Sequence, residues 1–253
     1  AIKDGAGDIY ISGGVEQMTR APWVISKASQ AFGRDAQMFD SSFGWRFINP
    51  NMEKMYGVDS MGLTAENLAE MFSISREDQD AFALESYRRS TAAYKQGKFT
   101  AEIAPISVPV RGKDPLVVAE DEEYKNVRME KIPNLRAVFT KEGTVTAANA
   151  STINDGAGAM ILMSEEKALE LGLTPLATIR SYADAAQDPK RFTTSPAKAL
   201  PIALEKAALK IDDIDYFELN EAFAVVGLAN MKLLGVDNSI VNVNGGAVSL
   251  GHP

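Results

Sequence analysis

Short apolar runs alternate along this chain with stretches whose apolar positions recur every three or four residues, and that alternation predicts an α/β protein. "DIYIS" near the start reads as a strand. Residues 15–60 hold few clean periods among scattered prolines, glycines and aromatics, and read as an elaborated loop region. Two amphipathic helices follow. "TAENLAEMF" takes Thr64 as its N-cap. "SREDQDAFALESYRRSTAAYKQGKF" takes Ser75, with Asp78 completing a capping box and Gly97 as a stop. "EIAPISVPV" and "DPLVVAEDEE" are extended, and their prolines assign them to sheet edges. "AMILMS" is a strand leading to a helix stopped by Gly172, and "LATIRSYADAA" is a further strand. Pro201 suits the first turn of a helix over "PIALEKAALK". "DIDYFELNEAFAVVGLANMKLLG" reads as strand, Asn-Glu junction and helix ended by Gly235. "SIVNVNGGAVSLGHP" reads as a strand entering a glycine-rich turn.

Four places in this pattern carry candidate chemistry. His252 is the single histidine, set in "GGAVSLGHP", where glycines permit tight turns and close approach of backbone to a ligand. It is either a ligand-facing group or a surface histidine. Asn220 stands at the strand-to-helix junction of "ELNEAFA". There it either caps the helix, with Glu221 suiting the positive helix end, or faces a ligand beyond the strand terminus. Ala147, Ala148, Ala150 and Ser151 in "TAANASTINDGAGA" are too small to fill a core. They suit close packing or a ligand laid against backbone, and no Walker A sequence follows. Residues 125–136 hold Lys125, Arg128, Lys131 and Arg136 against Glu130 alone, which is either a solvated face or a phosphate site.

Composition narrows the function. Apolar residues make up 45% and charged residues 24% of 253, ordinary for a globular protein. A net charge of −8 argues against general nucleic-acid binding. No run approaches the roughly 20 apolar residues of a membrane span. With zero cysteines and one histidine there is no disulfide, no cysteine nucleophile and little material for a transition-metal site. The composition is compatible with the cytoplasm, which is the expected location. The first residues contain no initiator methionine or signal-peptide layout, and the last follow a glycine-rich turn directly. The expectation is an internal segment of a longer protein.

Taken in order, "GGVEQMTRAP", "TVTAANASTINDGAGA", "ELNEAFA" and "VNVNGGAVSLGHP" resemble the thiolase family, the acyl-CoA:acetyl-CoA acyltransferases, over essentially the whole chain. The resemblance implies a layered α-β-α-β-α fold, incomplete here at both ends. Residues 1–13 and 152–172 would be remnants of the N-terminal half, 14–151 a loop domain covering CoA, and 173–253 part of the C-terminal half. It implies thiolysis of 3-oxoacyl-CoA by CoA, or the reverse condensation of acetyl-CoA, through an acylated cysteine. Both family cysteines would lie outside this sequence, so the chain alone is expected to be inactive. The competing reading is a CoA-binding or assembly module without catalysis.

The same resemblance assigns residues. His252 would activate the cysteine and, with a water held by Asn220, polarise a thioester oxygen. Ser151, Ala147 and Phe139 would lie along the pantetheine, and Asn126, Val127, Arg128 and Lys131 around the nucleotide; Asn126 replaces an arginine of some relatives. One branch of the family binds potassium, and its ligand positions match Tyr87, Ala147, Ala148, Ala150 and Val248, four of them acting through carbonyls. Phe192 matches that branch, whereas Thr193 replaces its proline. "FGWRFINP" resembles thiolases of longer or dicarboxylic substrates, while the stretch from "GKDPLVVAEDEEYKNV" through "GGAVSLGHP" resembles acetyltransferases. Relatives are dimers or tetramers, and acyl-CoA is the expected small-molecule partner.

Overall fold

Side chains that close local hydrogen bonds set where four of the eight α-helices among the described residues begin. The computed structural model describes residues 1–42 and 44–253; Phe43, the first residue of "FGWRFINP", lies outside the described residues. In chain order the strands are β1 (Ile9–Gln17), β2 (Trp23–Ile25), β3 (Met38–Asp40), β4 (Ile106–Val108), β5 (Leu116–Val118) and β6 (Asp155–Met163). The helices are α1 (Pro50–Tyr56), α2 (Met61–Phe72), α3 (Arg76–Lys95), α4 (Glu123–Asn126), α5 (Glu165–Glu170), α6 (Pro196–Ala207), α7 (Ala224–Leu234) and α8 (Ala247–Leu250). The side chains of Asn49, Ser60, Ser75 and Ser164 accept from amides of the first turns of α1, α2, α3 and α5. At Ser75 the expected capping box forms, with Asp78 answering back to the Ser75 amide at 3.4 Å.

Two expected helix starts move. α2 begins from Ser60 rather than Thr64, because Ser60 Oγ already accepts the Leu63 amide and Thr64 Oγ1 donates back to the Ser60 carbonyl. α6 begins at Pro196, which occupies the position where a missing amide costs least. Pro201 therefore lies inside the helix instead of opening it.

α3 and α7 organise the core. Phe82, Ala83 and Tyr87 of α3 pack with Ala224 and Met231 of α7, Val248 of α8, and Ile132, Ala148, Phe217 and Val241. A second cluster joins Ala65, Leu68 and Ala69 of α2 to Val225, Val226 and Ala229 of α7, with Ile74 and Val145. α7 is thus apolar on nearly every side, as a helix between two clusters must be. Gly227 makes its approach to α3 possible: a Cβ there would lie 2.7 Å from the Phe82 ring. Gly235, in the left-handed region at φ 68°, ends α7 as expected.

The strands form three separate antiparallel ribbons. β1 and β6 pair over nine residues, from Ile9 opposite Met163 to Gln17 opposite Asp155. This ribbon is longer than its apolar runs and keeps much apolar surface in solvent, with Ile11 80% and Val15 78% exposed. β2 pairs with β3, and β4 with β5, so the proline-flanked pair does lie at an edge.

Three expected strands are absent among the described residues. "LATIRSYADAA" pairs with no strand; Ser181 Oγ donates to the Ala203 carbonyl, and Lys206 Nζ donates to the Tyr182 carbonyl and lies over the Tyr182 ring. The segments before Asn220 and after Asn238 meet in a single parallel bridge, Phe217 with Val241. A strand is stabilised by its ladder, and no neighbouring strand continues one here. "GGAVSLGHP" holds the short helix α8 rather than a turn alone.

Candidate active site

The run of small residues draws two distant segments together. Ser151 donates to the Ala222 carbonyl through its amide at 3.0 Å and its hydroxyl at 2.9 Å, and Ala224 N–H donates to Asn149 O at 2.8 Å. A few residues on, the His252 amide donates to Thr152 O at 2.9 Å and Asn154 N–H to His252 O at 3.2 Å. Gly251, at φ 93°, lets the chain pass Asn154: a Cβ there would lie 2.3 Å from Asn154 Oδ1. The strap itself is held at its start by Glu66 of α2, whose carboxylate accepts from Thr144 N, Thr144 Oγ1 and Val145 N at 2.9–3.0 Å.

The result is that Asn220 and His252 face each other, with Asn220 Nδ2 and His252 Nε2 2.9 Å apart. His252 Nδ1 lies 2.5 Å from the Pro253 carbonyl, which can only accept. Nδ1 therefore carries the ring proton, and the Nε2 lone pair accepts from the Asn220 amide. Asn220 caps no helix; Phe223 occupies the N-cap position of α7. The pair opens on a cleft of about 590 Å³ also lined by Glu218, Asn244, Gly246 and Phe99. A larger open cleft of about 740 Å³ lies elsewhere, at Leu135–Gly143, and contains neither residue.

Glu221 departs from the sequence reading. It does not sit at the positive end of α7 but turns into the core, 1% exposed. Its Oε1 accepts from Asn242 Nδ2 at 2.7 Å, and its Oε2 from Ser86 Oγ at 2.7 Å and Val248 N at 3.2 Å. Burial pushes its carboxyl above the ordinary range, against the pull of those donors and of Arg89. Beyond Ser86 the hydroxyls of Ser249 and Ser90 continue the network at 2.9 and 2.6 Å. The signal for it was Ser86 and Ser90 one turn apart on the face of α3 that also carries Phe82, Ala83 and Ala93.

The other expected site residues spread outward from here. Phe139 lies edge-on to Phe223, centroids 6.1 Å apart, over Gly62, where a Cβ would meet the ring at 2.1 Å. Ser151 and Phe139 are thereby tied to the segment just after Asn220. Asn126 closes α4, Val127 packs on the core, and Arg128 and Lys131 are exposed; neither cation forms an ion pair among the described residues. No hydrogen bond joins either of them to the Asn220–His252 pair.

The donor set expected for potassium suits a hard cation. Tyr87, Ala148 and Val248 share one buried cluster. Among the described residues no hydrogen bond reaches the carbonyls of Ala147, Ala148, Ala150 or Val248. The Tyr87 hydroxyl has only a 3.4 Å contact with Glu123, and burial, the largest cause, raises its pKa beyond the ordinary phenol range.

Comparison with known proteins adds an independent observation. The thiolase N-terminal domain model matches residues 1–166, and the thiolase C-terminal domain model matches residues 173–253. The mitochondrial acetyl-CoA acetyltransferase of Mus musculus is 48% identical over 250 residues, covering 98% of this chain and 58% of its own length. The beta-ketoadipyl-CoA thiolase of Escherichia coli is 46% identical over 256 residues, covering 100% of this chain and 64% of its own. The Acat5 thiolase from Ascaris suum, solved in complex with coenzyme A, superposes with a TM-score of 0.87 at 41% identity. It covers 100% of this chain and 63% of its own. The chain thus spans about three-fifths of the relatives it matches.

Proposed function

The chain belongs to the thiolase family and has its fold, and from that premise we propose that it carries the histidine–asparagine half of a thiolase active centre. The reaction is thiolysis of a 3-oxoacyl-CoA by CoA, or condensation of two acetyl-CoA in reverse. The observation that carries this reading is the 2.9 Å approach of Asn220 Nδ2 to His252 Nε2 at the mouth of a cleft. Nε2 is the unprotonated ring nitrogen, so it can take the proton of a thiol. Once it is protonated, Nε2 and the Asn220 amide, the latter through a water, donate toward the oxygen on which thioester charge develops. Ser151, Ala147 and Phe139 line the pantetheine arm; Asn126, Val127, Arg128 and Lys131 border the nucleotide. Potassium, held by Tyr87 and the carbonyls of Ala147, Ala148, Ala150 and Val248, would supply fixed positive charge beside CoA.

These 253 residues contain no cysteine, so the acylated thiol must be supplied by sequence outside them. The proposed division follows the family: 1–13 with 152–172, a covering domain at 14–151, and 173–253. Relatives named for acetyl-CoA and for beta-ketoadipyl-CoA differ by two points of identity, so the reading stays at the level of the thiolase reaction. A homodimer or homotetramer and a cytoplasmic setting complete it. The setting rests on composition, and the vertebrate relatives carry "mitochondrial" in their names. No helix is long and apolar enough to cross a membrane among the described residues.

A chimaera tests this. The 253 residues replace the matching segment of the mouse enzyme, which restores both flanks, and acetoacetyl-CoA thiolysis is followed. Activity that falls at least 100-fold with His252→Ala or Asn220→Ala supports the reading; activity indifferent to both refutes it. The absence of cysteine also favours a second reading, a CoA-binding module. It predicts CoA binding by the unextended chain and no gain of turnover in the chimaera.

A further inference from the structure

We propose that Glu221 is a positioning residue that holds Asn220 within hydrogen-bond reach of His252. Glu221 follows Asn220 directly in the chain, and its Oε2 accepts the amide of Val248 on α8, four residues before His252. One side chain therefore ties both halves of the pair to a common point. That point is fixed in turn: Ser86 of α3 donates to the same oxygen and accepts from Gly246 N at 3.2 Å. Gly246 lies so close that a Cβ would stand 2.5 Å from the Glu221 carboxyl carbon.

The partners also dictate the chemistry of the group. Asn242 accepts from Leu219 N through Oδ1 and donates to Leu219 O through Nδ2, both at 2.8 Å, so its amide cannot turn around without losing both bonds. Its remaining Nδ2 hydrogen must point at Glu221 Oε1. Val248 N–H can only donate, and it points at Oε2. Both carboxyl oxygens therefore face obligate donors. Glutamine keeps the shape but offers one acceptor and one donor, so an NH2 would be forced against the Val248 amide or the Asn242 amide. Charged and titratable neighbours are Arg89 of α3, which favours the carboxylate, and Glu218 and Tyr87, which feel its charge.

The proposal rests on the thiolase reading of the pair, but its test does not. The chain has a single histidine, so one set of imidazole ¹⁵N signals reports His252. In the 253-residue chain the expected pattern is the Nδ1–H tautomer. Glu221→Gln should abolish that bias and shift the Asn220 side-chain amide signals, and Ser86→Ala should move both part of the way. Leu68→Ala, in the other core cluster, loosens the fold without touching this network and should leave the pattern unchanged. A folded Glu221→Gln chain with the wild-type imidazole pattern would overturn the proposal. So would a Leu68→Ala chain that reproduces the Glu221→Gln change. If Glu221→Gln does not fold, Ser86→Ala decides: shifted signals support the role, unchanged signals refute it. A chimaera indifferent to His252→Ala would defeat the thiolase reading while leaving these spectra as expected.

Discussion

Asn242 and Leu219, 23 residues apart, bind each other in both directions: the Leu219 amide donates to Asn242 Oδ1, and Asn242 Nδ2 donates to the Leu219 carbonyl, each at 2.8 Å. The side chain does the work of a missing strand neighbour, joining the segment before Asn220 to the segment before α8. Asn242 is buried and sits at φ 48°, a conformation asparagine tolerates better than most residues. Asn242→Ala leaves Leu219 and Glu221 short of partners. Each unmet buried group costs about 1–3 kcal/mol, so a loss of about 3 kcal/mol or more is expected in urea unfolding, and a loss below about 1 kcal/mol would contradict this account.

Two glycines with similar backbone angles should respond very differently to alanine. Gly245, at φ 85°, has Ser90 Oγ 1.9 Å and Ser90 N 2.8 Å from where a Cβ would be. Gly172, at φ 65°, has nothing within 4 Å. Gly172→Ala meets only the left-handed penalty, about 1–2 kcal/mol. Gly245→Ala adds overpacking of about 1–3 kcal/mol. Equal midpoint shifts for the two variants in urea unfolding would show that the approach of the glycine turn to α3 is not close.

The raised pKa of Glu221 has a definite sign in stability. The folded state keeps its proton to higher pH than the unfolded state, whose ordinary value is 4.5, and the hydrogen is then received by Ser86 Oγ, the one partner able to accept as well as donate. Stability from this group is therefore full below about pH 4.5 and falls as pH rises through the folded value. Measured as the difference between wild type and Glu221→Gln in urea titrations, the wild-type advantage should shrink over that window. A wild-type advantage that grows with pH there would reverse the sign.

Arg128 and Lys131 are exposed, so their contribution to CoA binding should be small. Arg128→Ala and Lys131→Ala should each weaken CoA binding to the chimaera by about 0.5 kcal/mol, less at high salt. Calorimetry at two salt concentrations reads this directly. No change at low salt would mark residues 125–136 as a solvated face alone.

The unextended chain should not catalyse. With no cysteine, incubation with acetoacetyl-CoA and CoA should leave the thioester intact over hours. Turnover comparable to the chimaera would require a nucleophile other than the family's thiol and would overturn the assignment.

The sequence by itself determined the features whose physics spans only a few residues. The Ser75–Asp78 box works across three positions, and Gly235 ends α7 because its own φ is positive. The four motifs likewise carried the family, and they named His252 and Asn220 as candidates. Tertiary structure decided the rest, because the deciding partners are remote in the chain. Glu221 reads as a helix-end charge until Ser86, 135 residues away, and Val248 receive it in the core. Pro201 reads as a helix start until Pro196 takes that place. "LATIRSYADAA" has a strand's composition but no ladder, since a strand is completed by its neighbour's hydrogen bonds rather than its own. The 2.9 Å contact between Asn220 and His252 is of the same kind: both residues are named in the sequence, and their meeting depends on the strap at 149–154 that binds one segment on each side.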